Sequence, residues 1–386
     1  MKLAFKRITS TGSFIPEIDG LRFIAIASVV IMHASSYIMI KDQTNYIDVF
    51  DFELLGSILH HAMLGVPIFF AISGFILGLP FAKYHINNGK PINLRAYFVR
   101  RLSRLEPPYI VVLTMLFFGY VIFFKTMPFD MGLKSYLSSL IYSHNIIYSG
   151  VHPFPLLNPN LWSLEIEIQF YILAPLLAYI FSVKPVLLRR GSLIIIALLF
   201  TMFNVYYTLP FLSIVKYFHY FLVGFLLADL YVSKSIIFPK TRLDALIGLF
   251  FFVFIWVFET AGFTSNISKS AWEVIQLVSI FFLFYYVIFH KALKFLSYPF
   301  ITNIGGMCYS IYMLHSPIIY VFGKYIVMVT FSKYSVLNFS IYLILLLAVI
   351  LFISAIFFQL IERPCMERDG YKKLFKRPKK IKENSF

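Results

Sequence analysis

Three titratable residues, His33, Glu167 and His315, fall inside apolar stretches, where an ionisable side chain is costly and marks a functional site. A histidine can take a proton from a hydroxyl as a general base, and a nearby carboxylate can orient it. Arg22 lies 11 residues before His33. At 100° per residue the two share one helix face, about 16 Å apart along the axis. A second basic group, Arg100, Arg101 and Arg104, follows Asn93 and precedes Pro107-Pro108. Guanidinium groups clamp phosphates with two parallel hydrogen bonds. The second basic group is therefore a candidate anion site.

Each residue also has a plainer reading. Arg22 can snorkel to the interface while His33 bonds a neighbouring helix. Glu165 and Glu167 point about 200° apart, so at most one faces the cavity of His33. Glu165 is expected to lie wet at the outer interface. Tyr309, Tyr312 and His315 drift round one side of a helix, as a polar packing seam would, and Pro317 frees backbone carbonyls beside the histidine. Residues 93–106 read as an amphipathic helix lying on the membrane surface, ended by the prolines. Its stripe is Leu94, Tyr97, Phe98, Leu102 and Leu105, with the arginines standing apart from it. Gly65 and Gly74 allow close helix approach, and Ser73 can bond across helices. His60 and His61 read as interfacial.

These residues are positioned by long apolar segments. Ten stretches are long enough to span a bilayer: 20–40, 55–81, 106–126, 160–182, 191–208, 212–232, 243–261, 271–290, 303–329 and 335–361. With the N-terminus in the cytoplasm and the sides alternating, most of the 34 Lys and Arg residues fall on the cytoplasmic side, as the positive-inside rule requires. The expected fold is an all-α polytopic membrane protein with both termini cytoplasmic. Residues 1–365 form the membrane domain, and 366–386 form a basic tail lying on anionic lipid. Counted along the spans, His33, Glu167 and His315 reach a similar depth and are expected to line one cavity.

Composition agrees. Of the 386 residues 60 % are apolar and 13 % charged, with a mean hydropathy of +0.80. That excludes a soluble enzyme, a disordered chain and a coiled coil. The net charge of +16 is topogenic, so nucleic acid is not expected as a partner. Cys308 and Cys365 suggest no disulfide framework, and no cluster has metal-ligand spacing.

Five stretches resemble, in order, the motifs of the acyltransferase-3 family of integral-membrane O-acyltransferases. Asp19-Gly20-Leu21-Arg22 followed by His33 resembles its opening motif, and Gly65 to Phe75 its G-V-x-x-F-F-x-x-S-G-F segment. Arg100-Arg101-x-x-Arg104-x-x-Pro107 resembles its basic-then-proline segment, and Leu161 to Tyr171 its L-W-S-L-x-x-E-x-x-F-Y. Tyr309 to Pro317 and Glu362-Arg363-Pro364 resemble its closing motifs. The likeness runs from residue 16 to about 365. Pro67 departs from it, standing where the family often has an acidic residue.

The resemblance implies transfer of an acyl group, usually acetyl, from cytoplasmic acetyl-CoA to a hydroxyl of an extracytoplasmic glycan or lipid-linked sugar at the inner (plasma) membrane. Acetyl-CoA is then a co-substrate, and no separate cofactor or metal is implied. It makes His33 the catalytic base, with Glu167 and His315 as supporting residues, and links Arg22, Arg100, Arg101 and Arg104 to the donor. Glu167 is expected to orient the His33 imidazole, and His315 to bond the acceptor or the developing oxyanion. The chain is expected to be a stand-alone form ending in its short basic tail. The alternative class is a proton-coupled secondary transporter, which would use the same intramembrane His, Glu and Arg but for which no clear inverted repeat is visible.

Overall fold

The computed structural model describes residues 14–41, 62–148, 154–207, 209–257 and 265–367. It is 82 % helical, with no strand among the described residues. The helices are α1 (Pro16–Lys41), α2 (Gly65–Asn87), α3 (Leu94–Phe117), α4 (Phe129–Leu140), α5 (His144–Ile147), α6 (Trp162–Leu177) and α7 (Val186–Tyr206). They continue with α8 (Ile214–Val232), α9 (Asp244–Val257), α10 (Asn266–Tyr285), α11 (Pro299–Gly306), α12 (Cys308–Val327), α13 (Ser335–Phe357) and α14 (Arg363–Met366). The chain is a multi-pass, all-α membrane protein.

Among the described residues eight helical segments are long and apolar enough to cross a bilayer, two fewer than the ten expected. The other two expected spans are present as helices but fall short for different reasons. Helix α9 has 14 residues. In α12 the polar residues Tyr309, Ser310, Tyr312, His315 and Ser316 dilute the apolar sequence. The expected span 303–329 is also broken at Met307, between α11 and α12. The break follows a close approach: a Cβ on Gly305 would lie 1.8 Å from the Asp19 carbonyl oxygen of α1.

The prolines behave differently from expectation. Helix α3 runs straight through Pro107 and Pro108 instead of ending before them. The two prolines forfeit the hydrogen bonds to the Ser103 and Arg104 carbonyls. Burial of Leu105, Tyr109, Val112 and Leu113 on either side holds the helix together despite that loss. Pro317 leaves the Met313 carbonyl without its helical donor, and Asn158 Nδ2 donates to it at 2.8 Å.

Packing divides into two apolar bodies that share α1. One gathers α2, α8 and α10 around Ile18, Leu21, Ile24 and Ala25. Helices α2 and α8 cross at Gly74, where a Cβ would sit 2.2 Å from the Phe221 carbonyl oxygen. The other body gathers α3, α12 and α13 around Ile26, Val30, Ala34 and Ile38. Phe23, Phe69 and Tyr309 pack against both bodies. The polar residues of interest lie along this seam.

His60 and His61 lie outside the described residues, as does the basic tail beyond Glu367.

Candidate active site

Two cavities open along the seam, and they differ in chemistry. The first, about 850 Å³ with the open solvent at its mouth included, is lined by Arg22, Arg101, Arg104, Glu167, Tyr171 and Cys308 among others. Arg22 comes from the N-terminal third of α1 and pairs with Asp19 one turn earlier, at 2.5 Å. Arg101 and Arg104 come from α3, whose inward face is Tyr97, Arg101, Arg104, Leu105 and Pro108 at helical spacing. The Arg101 guanidinium lies over two rings, 5.8 Å from the centre of Tyr97 and 5.6 Å from that of Tyr171. The Tyr171 hydroxyl donates to Glu167 Oε1 at 2.6 Å, and Ser73 Oγ donates to the same oxygen at 2.6 Å. Arg104 Nε is buried without a hydrogen-bond partner among the described residues. A buried guanidinium donor left unmet is costly, so this cavity suits an anion.

The second cavity, about 1100 Å³ with the open solvent at its mouth included, is lined by His33, Tyr37, Tyr120, Thr126, Ser316 and Tyr320 among others. No Asp, Glu, Lys or Arg lines it among the described residues. His33 has no hydrogen-bond partner among the described residues, which leaves a ring nitrogen available to a ligand. Its ring centre is 5.3 Å from that of His315.

A small polar partition separates the two cavities. His315 is fully buried, and both of its nitrogens are engaged. Its Nδ1 donates to the Ile311 carbonyl at 3.0 Å, and its Nε2 accepts from Asn160 Nδ2 at 3.0 Å. That pattern holds the imidazole neutral in the Nδ1–H tautomer. Asn160 Nδ2 also donates to Ser316 Oγ at 2.5 Å. On the arginine side, the Tyr312 hydroxyl donates to the Asn160 carbonyl and pairs with Ser163 Oγ at 2.9 Å.

The expected residues therefore fall into two groups rather than one. His33 and His315 are neighbours, whereas Glu167 lies in the arginine cavity and is bonded to Ser73 and Tyr171. Similar depth did not bring Glu167 to the imidazole, because α6 turns it toward α2 instead. Arg22 joins Arg101 and Arg104, while Arg100 is exposed and lines neither cavity. The expected stripe of α3 is also revised: Leu94 and Leu102 are 49 % and 42 % exposed, and two arginines take their places inside. Glu165 is not wet; it is 0 % exposed, and its Oε2 accepts from the Asn145 backbone N–H at 2.9 Å.

Asn158 and Asn160 went unnoticed in the sequence, and Ser163 figured only as a motif residue. The available signal was Asn158-Pro159-Asn160, a turn tripeptide at the head of a helix that carries buried carboxylates.

A family model described as "Acyltransferase domain" matches residues 15–358. The chain is 26 % identical over 419 residues to O-acetyltransferase OatA of Staphylococcus aureus (strain NCTC 8325 / PS 47), covering 97 % of this chain and 61 % of that protein. It is 28 % identical over 185 residues to the peptidoglycan O-acetyltransferase OatA of Listeria monocytogenes, covering 46 % of this chain and 26 % of that one. It is 29 % identical over 170 residues to the putative O-acetyltransferase SACOL0978 of Staphylococcus aureus (strain COL), covering 42 % and 24 %. The chain thus spans about three fifths of the first relative's length. No solved structure matches. With nearly the whole chain matched and the motif residues gathered along one seam, the protein belongs to the acyltransferase-3 family.

Proposed function

We propose that this protein transfers an acetyl group from acyl-CoA to a hydroxyl of a cell-envelope glycan. The arginine cavity takes the donor, the tyrosine cavity takes the acceptor, and the reaction occurs at the partition between them. The observation that carries this reading is the buried, unmet Arg104 Nε in a cavity it shares with Arg22 and Arg101, on the far side of the partition from an uncharged cavity containing His33. The relatives' names support the same reaction type, and one of them names peptidoglycan.

The arginines hold the phosphates of the donor. Its pantetheine arm runs toward the partition over a distance comparable to the 16 Å from Arg22 to His33 along α1. The acceptor oxygen attacks the thioester carbonyl carbon while His33 takes the hydroxyl proton. A C–O bond forms and the C–S bond breaks. The sulfur leaves with the electron pair, and the proton held on His33 passes to it, giving free CoA and a neutral imidazole. His315 acts through its packing against His33, since both of its nitrogens are already engaged. Glu167 positions Tyr171 beneath Arg101 and tempers the positive charge of the donor cavity.

The charge distribution supports an orientation with both termini in the cytoplasm and the arginine cavity open to that side. It also supports placement in the inner (plasma) membrane with anionic lipid contacts. Reporter fusions at Lys184 and Lys234 are expected to read cytoplasmic and one near Lys269 extracytoplasmic; Lys269 reporting from the cytoplasm would overturn that orientation. The transferase reading itself is tested by CoA release from acetyl-CoA by the purified protein with a glycan acceptor, and absence of release would reject it.

A further inference from the structure

We propose that the tyrosine cavity is a subsite for an uncharged sugar ring, with Tyr37, Tyr120 and Tyr320 as its stacking platform. The inference rests on the transferase reading above and deepens it by naming what part of the acceptor the cavity holds. Sugar rings present faces of weakly positive C–H groups and edges of hydroxyls. The face of an aromatic ring is negative and attracts the former, while polar side chains satisfy the latter.

The cavity offers both. Tyr320 is 56 % exposed and meets Tyr120 edge to face, with ring centres 6.2 Å apart at 90°, so the two rings form a corner. Tyr37 lies against Gly323 of α12; a Cβ there would be 2.5 Å from its Cε1, so only glycine lets the ring sit flat on that helix. Tyr120 sits in a π-helical turn, Phe118–Phe123, and its carbonyl accepts from the Thr126 and Met127 backbone N–H groups at 2.9 and 3.3 Å. Such turns swing a side chain out of helical register and are frequent at functional sites. Hydroxyls of Ser36, Thr126 and Ser316 line the same space, and His33 stands at its wall.

The absence of any Asp, Glu, Lys or Arg among the described lining residues sets the specificity. A uronate or other acidic sugar would bring a carboxylate into this space with no Lys or Arg among the described lining residues to pair it, which is costly. A neutral ring leaves nothing unpaired. Any charge on the acceptor must therefore lie outside the cavity, while the ring bearing the reacting hydroxyl stacks within it.

The test uses the full chain in nanodiscs and two tetrasaccharide probes, β-1,4-linked N-acetylglucosamine and α-1,4-linked galacturonate. Wild-type protein is expected to bind the first at least about tenfold more tightly than the second. Replacing Tyr37 and Tyr320 together by Ala should weaken binding of the neutral probe about tenfold, since each ring contributes about 0.7 kcal/mol and about 1.4 kcal/mol is tenfold. The Tyr37→Phe, Tyr320→Phe protein should stay within about twofold of wild type, because it keeps both rings and loses only the hydroxyls. CoA affinity, measured on each variant, should not change and serves as the check on folding. No binding of the neutral probe, equal binding of the acidic one, or an Ala variant equal to wild type would overturn the subsite. Sugar binding without acetyl transfer to any acceptor would instead overturn the transferase reading and leave the subsite standing.

Discussion

The arginine cavity and the tyrosine cavity are both reached from α1, one through Arg22 and the other through His33, yet they divide the seam's chemistry between them. The first contains three guanidinium groups, a carboxylate and a buried donor left unmet. The second contains aromatic rings and hydroxyls, with no Asp, Glu, Lys or Arg among its described lining residues. His315 and Asn160 stand between them, tied by hydrogen bonds to each other and, through the Asn160 carbonyl and Tyr312, to Ser163 on the arginine side. The contrast teaches that the polar residues of this membrane domain are sorted by charge along the helix axes. An anionic donor and a neutral ring can then be bound on opposite sides of one imidazole without either site spoiling the other.

The strongest way to break this contrast is at the partition. His33→Ala should reduce transfer by about 10²–10⁴, the usual worth of a positioned base, while acetyl-CoA binding is unchanged. Loss of donor binding in that variant would mean the two cavities are not separate. Next in size is the donor side. Replacing Arg101 and Arg104 together by Ala should raise the acetyl-CoA KM about 10–100-fold, because the two together remove charge-assisted hydrogen bonding worth roughly 1.5–3 kcal/mol. Lys at both positions should rescue poorly, since it lacks the planar fork. Arg100→Ala, at an exposed position, should leave the donor KM within about twofold of wild type and sharpens the assignment.

The scaffold behind the cavities can be tested in the same way. Gly74→Ala, which forces a Cβ against the Phe221 carbonyl at the α2–α8 crossing, should destabilise by about 1–3 kcal/mol in thermal unfolding. Gly191→Ala, where nothing lies within 4 Å, should be neutral or stabilise by up to about 1 kcal/mol. A small effect is expected for Glu167→Gln. The amide oxygen can still accept from Ser73 and Tyr171, and removing a negative charge beside three arginines should lower the donor KM a few-fold. A fall in kcat with an unchanged KM would return Glu167 to the role of orienting His33.

Periodicity and hydropathy read the helices well, because apolar length is what a bilayer selects. The motif residues lie along one seam but in two cavities, where depth had suggested one. What the sequence left open was azimuth. Depth alone put Glu167 beside His33, but depth fixes one coordinate only; α6 turns Glu167 toward α2, where Ser73, far away in sequence, donates to it. The run through Pro107-Pro108 was illegible for a similar reason. Local chemistry favours a stop there, and tertiary burial of Tyr109, Val112 and Leu113 overrides it. Asn160 was missed because an asparagine in a turn normally serves the turn, whereas here its side chain reaches His315 and Ser316, over 150 residues away in sequence.

The central claim is that donor and acceptor occupy different cavities, and a crossed kinetic measurement tests it most directly. The KM values for acetyl-CoA and for the glycan acceptor would each be determined for wild type, for the Arg101→Ala, Arg104→Ala protein and for Tyr320→Ala. The arginine variant should raise only the acetyl-CoA KM and the tyrosine variant only the acceptor KM. A variant of one cavity that shifts both constants, or that shifts the other substrate's constant alone, would contradict the account.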